Sequence, residues 1–405
     1  MTSITHVLVW AFGIAVVLGF FVNKTNFCTM GAVSDWVNMG DTGRIRSWFF
    51  AIAVAIVGVM LMQAFKYVDI SVTSSGSQSF PPYRTAMFAW PRYIVGGLLF
   101  GIGMTLGSGC GNKTMVRIGG GNIKSLFVFL MMGFGAYLMM FTSFMGKVFF
   151  PWMQPAFVDL AKFGINSQAV NSILGGMIGV NANTLYYIMG GVLAVLLLIW
   201  ALRSTDFRGR LDNILGGAVV GLAVVAAWAV TAGPLGQQWL SDVDFMDQPP
   251  IATGAQSFTF VSPSGQAYNY LFNGFGKTFL TFGLVAAAGV VVGSFLYAVV
   301  FRKFRFEWFA SWKDFFNHII GGFLMGIGGV LGMGCTIGQG VTGVSTLALG
   351  SIFTLVSIIL GAALTMKVQY YKLVYEDEAS FFKALIAGMA DLRLVPNKLR
   401  RLDAV

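Results

Sequence analysis

Apolar runs of roughly twenty residues recur along the whole chain, separated by short polar stretches. They predict nine membrane-spanning helices, at about 5–22, 47–65, 92–108, 124–145, 184–202, 213–232, 277–301, 317–333 and 350–367. The first run lacks a basic leader and a small-residue cleavage site, so it reads as a retained helix. Stretch 147–183 is too long for a turn and predicts a short half-helix near Ile173–Val180. The polar, turn-rich stretches 66–91 and 233–276 read as external loops. They share Gly-x-Gln-Ser-Phe at Gly76–Phe80 and Gly254–Phe258, and we expect them to pack together as an outer cap. In the tail, Phe381, Phe382, Leu385, Ile386, Met389 and Leu392 fall on one side of a helix. That pattern predicts a helix lying on the inner membrane surface, with Lys398, Arg400 and Arg401 facing lipid headgroups.

One apolar stretch is written twice. Gly96–Cys110, GGLLFGIGMTLGSGC, returns 225 residues later as Gly321–Cys335, GGFLMGIGGVLGMGC, with 10 of 15 residues identical. The chain therefore divides into a first transmembrane half, 1–202 with repeat element 96–138, and a second, 203–366 with repeat element 321–364. A basic amphipathic tail, 367–405, follows.

Charge orients the halves. Only 10% of the 405 residues are charged against 56% hydrophobic, which excludes a soluble globule. The formal charge of +10 belongs to topology rather than to nucleic acid, for which we expect no role. Placing the N-terminus on the periplasmic side puts 20 of the 26 Lys and Arg residues in the cytoplasm, with the C-terminus. The first copy then runs inward and the second outward, an inverted repeat around a central constriction. From Tyr93 to Leu106 is 14 residues, about 21 Å of helix. Both copies look too short to cross a hydrocarbon core of about 30 Å before their cysteine. Each cysteine is thus expected inside the bilayer, where irregular backbone must line an enclosed path.

The three cysteines, Cys28, Cys110 and Cys335, have no CxxC spacing, and His6 and His318 stand apart. A disulfide framework, a metal site and a bound cofactor are not expected. Glycines 109 and 111 flank Cys110, and Gly334 precedes Cys335, so main-chain amides are open to a ligand. A helix starting after such a turn points its unpaired amides at the cysteine, which favours an anion. Asn112, Thr114, Thr336 and Gln339 add neutral polar groups. No Asp or Glu lies between Asp69 and Asp159, or between Asp314 and Glu376. Lys113 and Arg117 read as inside-positive residues that can also draw an anion along the path. Cys28 has no cysteine counterpart in the second half.

With its two GxGC segments, the earlier FCxxGA at Phe27–Ala32 and nine predicted helices, the chain resembles the YeeE/YedE family of sulfur-compound transporters. The resemblance covers about 10–366 and departs in loop 233–276 and in the basic tail. It implies an inner-membrane importer of hourglass shape rather than an enzyme, taking up thiosulfate or another sulfur or selenium compound. It implies that Cys28, Cys110 and Cys335 meet the ion, and that a cytoplasmic sulfur-carrier protein can act as partner. A neutral thiol is a weak donor suited to a soft terminal sulfur. Successive weak contacts admit the ion and release it. On this expectation Cys110 and Cys335 form the constriction, and Cys28 is a further contact on the cytoplasmic side. The rival class is a membrane thiol oxidoreductase working with a quinone.

Overall fold

The computed structural model describes residues 3–400 and residue 402, and within them the chain is almost wholly helical. In chain order, α1 is Ser3–Thr25, α2 Thr29–Ser34, α3 Gly43–Ala64, α4 Trp90–Leu106, α5 Gly111–Gly119 and α6 Ile123–Phe141. Then come α7 Val170–Ile178, α8 Ala182–Leu202, α9 Leu211–Ala232, α10 Pro234–Asp244 and α11 Ser262–Phe272. The last four are α12 Phe282–Val300, α13 Trp312–Leu331, α14 Leu349–Val374 and α15 Phe381–Asp391. Nine helical segments among the described residues are long and apolar enough to cross a membrane. Three of them, Ser3–Met39, Trp90–Gly119 and Trp312–Thr346, are interrupted within their length, and each interruption carries a cysteine.

Local chemistry sets the ends. The Asn122 side chain accepts from the Ser125 amide at 2.9 Å and starts α6; Ser311 accepts from the Asp314 amide at 3.2 Å and starts α13. That cap corrects one expectation. α13 begins five residues before the predicted 317 and has 20 residues, about 30 Å, so the second copy is long enough to span before its break. The first copy, α4, has 17 residues, about 25 Å. Both helices end alike: Ser108 and Met333, each two residues before its cysteine, sit at φ +57° and +62°. These left-handed residues turn the chain out of the helix, and a glycine follows each.

Helix α1 packs on α12 and α9, and α9 on α3; α4 packs on α14 and α13, and α13 on α6. Where α4 meets α13 the contact is reciprocal. A Cβ on Gly96 would lie 2.4 Å from the Gly332 amide nitrogen, and one on Gly321 would lie 2.4 Å from that of Gly107. Gly332 is the repeat equivalent of Gly107, and Gly321 that of Gly96. Gly96 of α4 touches the end of α13, and Gly321 in the middle of α13 touches the end of α4, so the two helices run antiparallel. Glycine permits backbone-to-backbone approach here, as in tightly packed membrane helices.

The two GxQSF motifs meet. Ser79 and Ala255 pair, the Phe80 amide donates to the Ala255 carbonyl at 3.1 Å, and the Ala255 amide donates to the Gln78 carbonyl at 2.7 Å. Stretch 233–276, however, is not simply a polar external loop. Residues 255–266 run into the protein: Ala255, Phe258, Phe260 and Ser264 are buried, and α11 packs on α6. The expected half-helix near Ile173 is α7.

The tail helix α15 docks on α14 through its small face of Ala384, Ala387 and Gly388, leaving Phe381 and Phe382 exposed. Arg400, expected at headgroups, instead pairs with Asp391, which also binds Lys367 at 3.3 Å and the Tyr371 hydroxyl at 3.0 Å. Lys398 is exposed, and Arg401 lies outside the described residues.

Candidate functional site

All three cysteines occupy the same kind of position, the residue just before a short helix. Cys28 precedes α2, Cys110 precedes α5, and Cys335 precedes a π-helix at Thr336–Gly343. The thiols of Cys28 and Cys335 accept from amides three residues on, Gly31 at 3.5 Å and Gly338 at 3.4 Å. Each side chain thereby serves as the helix cap, a role sulfur fills weakly, and each is set against the positive end of the helix it starts. All three are buried.

The structure brings the Cys28 and Cys110 thiols close enough to act on one another. They lie 82 residues apart in sequence. Cys335 faces Thr259 instead, whose hydroxyl donates to its sulfur at 4.0 Å, the long limit for sulfur. Thr259 thus stands to Cys335 as Cys28 stands to Cys110. The threonine comes immediately after the second GxQSF motif, a signal the sequence contains but that points only to a loop. Thr336 joins the two places: it follows Cys335 in the chain, stands beside the Cys110 thiol, and its buried hydroxyl has no protein partner.

Other predicted residues gather here as well. Asn112 and Gln339 are almost fully buried, and the side-chain oxygen of each is unpartnered; Gln339 Nε2 donates to the Gly332 carbonyl at 2.5 Å. Unsatisfied buried polar atoms on adjacent turns are the kind a polar ligand or ordered water would complete. Gly109 and Gly111 have room, since an added Cβ would find no neighbour nearer than 3.4 Å. At Gly334 it would meet Gln339 at 3.1 Å. Gly96, Gly97, Gly321 and Gly322 serve packing, each with a Cβ position within 2.7 Å of a neighbouring helix.

Lys113 is no loop residue. It is buried on the first turn of α5, and its ammonium donates to Asn26 Oδ1, two residues before Cys28. Arg117, one turn on, donates to the Ser108 carbonyl at 2.6 Å and so braces the turn that carries Cys110. Two carboxylates lie in the same region, one of them, Asp314, brought there from far along the chain. Asp35, seven residues after Cys28, is buried and held in a two-pronged pair by Arg44. Asp314 lines a cavity of about 360 Å³ together with Met30, Ser34 and Ser108, and is paired with Lys124 at 2.8 Å. That cavity opens beside α2 and the turn before Cys110. Among the described residues no group of three or more His, Cys, Asp or Glu side chains could hold a metal ion.

Buried thiols, unpartnered neutral polar atoms and a buried lysine, gathered at the breaks in these helices, are chemically suited to a soft anion. Comparison with known proteins bears on which. The family model described as sulphur transport matches residues 24–364. A thiosulfate transporter of Escherichia coli, TsuA, is 25% identical over 374 residues, 85% of this chain and 89% of its own length. Its namesake in Spirochaeta thermophila is 26% identical over 279 residues, 66% of this chain and 74% of its own. A probable transporter of Salmonella typhimurium, YedE, is 29% identical over a shorter stretch of 111 residues, 27% of this chain and 23% of its own.

Proposed function

The chain belongs to the sulphur-transport family, and from that premise we propose that it imports thiosulfate across a bacterial inner membrane by successive weak contacts with buried thiols. The observation that carries this is the placement of all three cysteines at breaks within membrane-length helices, two of them close together. The antiparallel, reciprocal contact of α4 and α13 supports an inverted repeat with a gate on each side. The ion comes from the side of loops 66–91 and 233–276, passes Cys335 with Thr259, then Cys110 with Cys28 and Lys113, and leaves through the cavity beside Ser108. Lys113 offsets the ion's charge where the path is driest. A carboxylate relay is not needed: Asp35 and Asp314 are each neutralised by a basic partner. With the inside negative, import of a dianion is uphill by about 4.6 kcal/mol per 100 mV, so ion coupling or removal of the product inside must drive it. A sulfur-carrier protein waiting in the cytoplasm would supply such removal. The N-terminus is periplasmic and the C-terminus cytoplasmic in this reading.

Growth of a transporter-deleted, sulfur-auxotrophic bacterium on thiosulfate as sole sulfur source tests it. The parent chain restores growth; Cys28→Ser, Cys110→Ser and Cys335→Ser each abolish or sharply slow it. Serine keeps the size and the donor but loses sulfur's softness, so undiminished growth with Cys110→Ser would sink the thiol-contact mechanism. Another soft anion, such as a selenium compound, is distinguished by competition for uptake. The closeness of Cys28 to Cys110 makes a thiol oxidoreductase the second reading. A Cys28–Cys110 disulfide that forms and is reduced in step with quinone turnover would establish that rival.

A further inference from the structure

At the loop-side end of the path two adjacent residues are buried with polar atoms unused. Tyr83 is 2% exposed, packs edge-on against Trp228 at 6.5 Å, and its hydroxyl has no hydrogen-bond partner. That hydroxyl lies within electrostatic reach of the Cys335 thiol. Burial pushes the phenol well above its ordinary range, so it keeps its proton and can donate it. Arg84 is 6% exposed, and its Nε is unpartnered while one terminal nitrogen donates to the Ile70 carbonyl at 3.3 Å.

A buried guanidinium is normally paired with a carboxylate, because an unpaired charge in a low-dielectric setting is expensive to keep. Among the described residues Arg84 forms no ion pair. Asp69 acts on it electrostatically but is not within ion-pair distance, its oxygens accepting instead from the backbone amide and hydroxyl of Ser71, each at 2.8 Å. The Tyr186 phenol is the other group facing Arg84, and its hydroxyl donates to the Ser345 carbonyl at 3.3 Å. A buried cation is therefore left without an ion-pair partner and a buried donor without a hydrogen-bond partner, on a segment whose Ser79 pairs with Ala255, four residues before Thr259.

We propose that Tyr83 and Arg84 form a loading subsite for a divalent oxyanion or thio-oxyanion, from which the ion passes to Cys335. The subsite rests on the sulfur-anion reading of the path and adds selection by charge before the thiols select for soft sulfur. Sulfate and thiosulfate, alike in charge and near-tetrahedral shape, both occupy it; only thiosulfate offers the next contact a terminal sulfur.

The test is anion binding by the purified full chain in detergent, followed as a saturable rise in unfolding temperature with thiosulfate alone and sulfate alone, against chloride at equal ionic strength. The parent responds to both dianions. Arg84→Gln weakens binding about tenfold, Arg84→Lys less because it keeps the charge, and Tyr83→Phe about fivefold with an unchanged ligand-free unfolding temperature. Should Arg84→Gln fail to fold, Arg84→Lys and Tyr83→Phe carry the test. Absence of saturable binding to the parent, or parental affinity in both Tyr83→Phe and the folded arginine variants, overturns the subsite. Proteoliposome uptake of thiosulfate separates the two readings. Arg84-dependent binding without uptake removes the transport reading and keeps the subsite. Uptake with parental KM in Tyr83→Phe and Arg84→Gln does the reverse.

Discussion

The reciprocal glycine contact sets a sharp test of how the two copies fit together. In Gly96→Ala the new methyl carbon would sit 2.4 Å from the Gly332 nitrogen and 2.8 Å from the Gly328 carbonyl oxygen. Both are backbone atoms of a packed helix, so no side chain can swing aside. Ordinary contact begins near 3.4 Å, and α4 and α13 must therefore separate by about 1 Å, or 3.4 minus 2.4. Overpacking of this kind costs about 1–3 kcal/mol. Because Gly332 is three residues from Cys335, the displacement also moves the Cys335 thiol relative to Cys110. Gly321→Ala makes the equivalent clash, at 2.4 Å from Gly107, and should cost a similar amount. In the double variant one separation relieves both clashes, so the combined loss should fall short of the sum by roughly 0.5–3 kcal/mol. Thermal unfolding in detergent measures all three, with thiosulfate uptake alongside, and Gly13→Ala is the control because a Cβ there meets nothing within 4 Å. A Gly96→Ala protein as stable and active as the parent, or fully additive losses, would refute the reciprocal contact.

Thr259→Val keeps the shape that packs against Gly338 but removes the hydroxyl that meets Cys335. Its unfolding temperature should match the parent's while the KM for uptake rises several-fold, equivalent to about 1 kcal/mol; an unchanged KM would place Cys335 off the path. Asp391→Asn removes the charge that holds Lys367 and Arg400. The tail should then loosen by about 1.5–3 kcal/mol, seen as faster proteolysis after residue 375, with uptake within twofold of the parent because no cysteine touches α15. A tail that stays protected would mean that the small-residue face of α15 suffices to dock it.

Periodicity and composition determine a great deal here without any tertiary information. Nine apolar stretches, the repeat ending in Cys110 and Cys335, and the glycine turns are all local patterns, and local patterns are what hydrophobicity and backbone freedom read directly. The same holds for the break after Leu106, since a helix that ends in Gly-Ser-Gly announces its own stop. The start of α13 was harder to see, because a serine cap on Trp312–Phe316 extends a helix through residues too mixed in polarity to count as a span.

What only the tertiary structure decided is which groups meet. Cys28 has no cysteine counterpart in the repeat, yet it lies close to Cys110, while the matching place beside Cys335 holds Thr259. Those partners come from segments 82 and 76 residues apart, and no periodicity links them. Loop 233–276 reads as polar because it carries Ser, Thr and Gln. The Ser257 hydroxyl donates to the Val224 carbonyl of α9, and Thr231 of α9 donates to the Gln256 carbonyl; these bonds allow the loop to enter the protein at all. Lys113 reads as one more inside-positive residue until the fold buries it against Asn26. Hydrophobic pattern sorts residues into membrane and water. The residues gathered at the helix breaks defy that sorting, and only their mutual contacts, made across long sequence distances, tell them apart from ordinary loop residues.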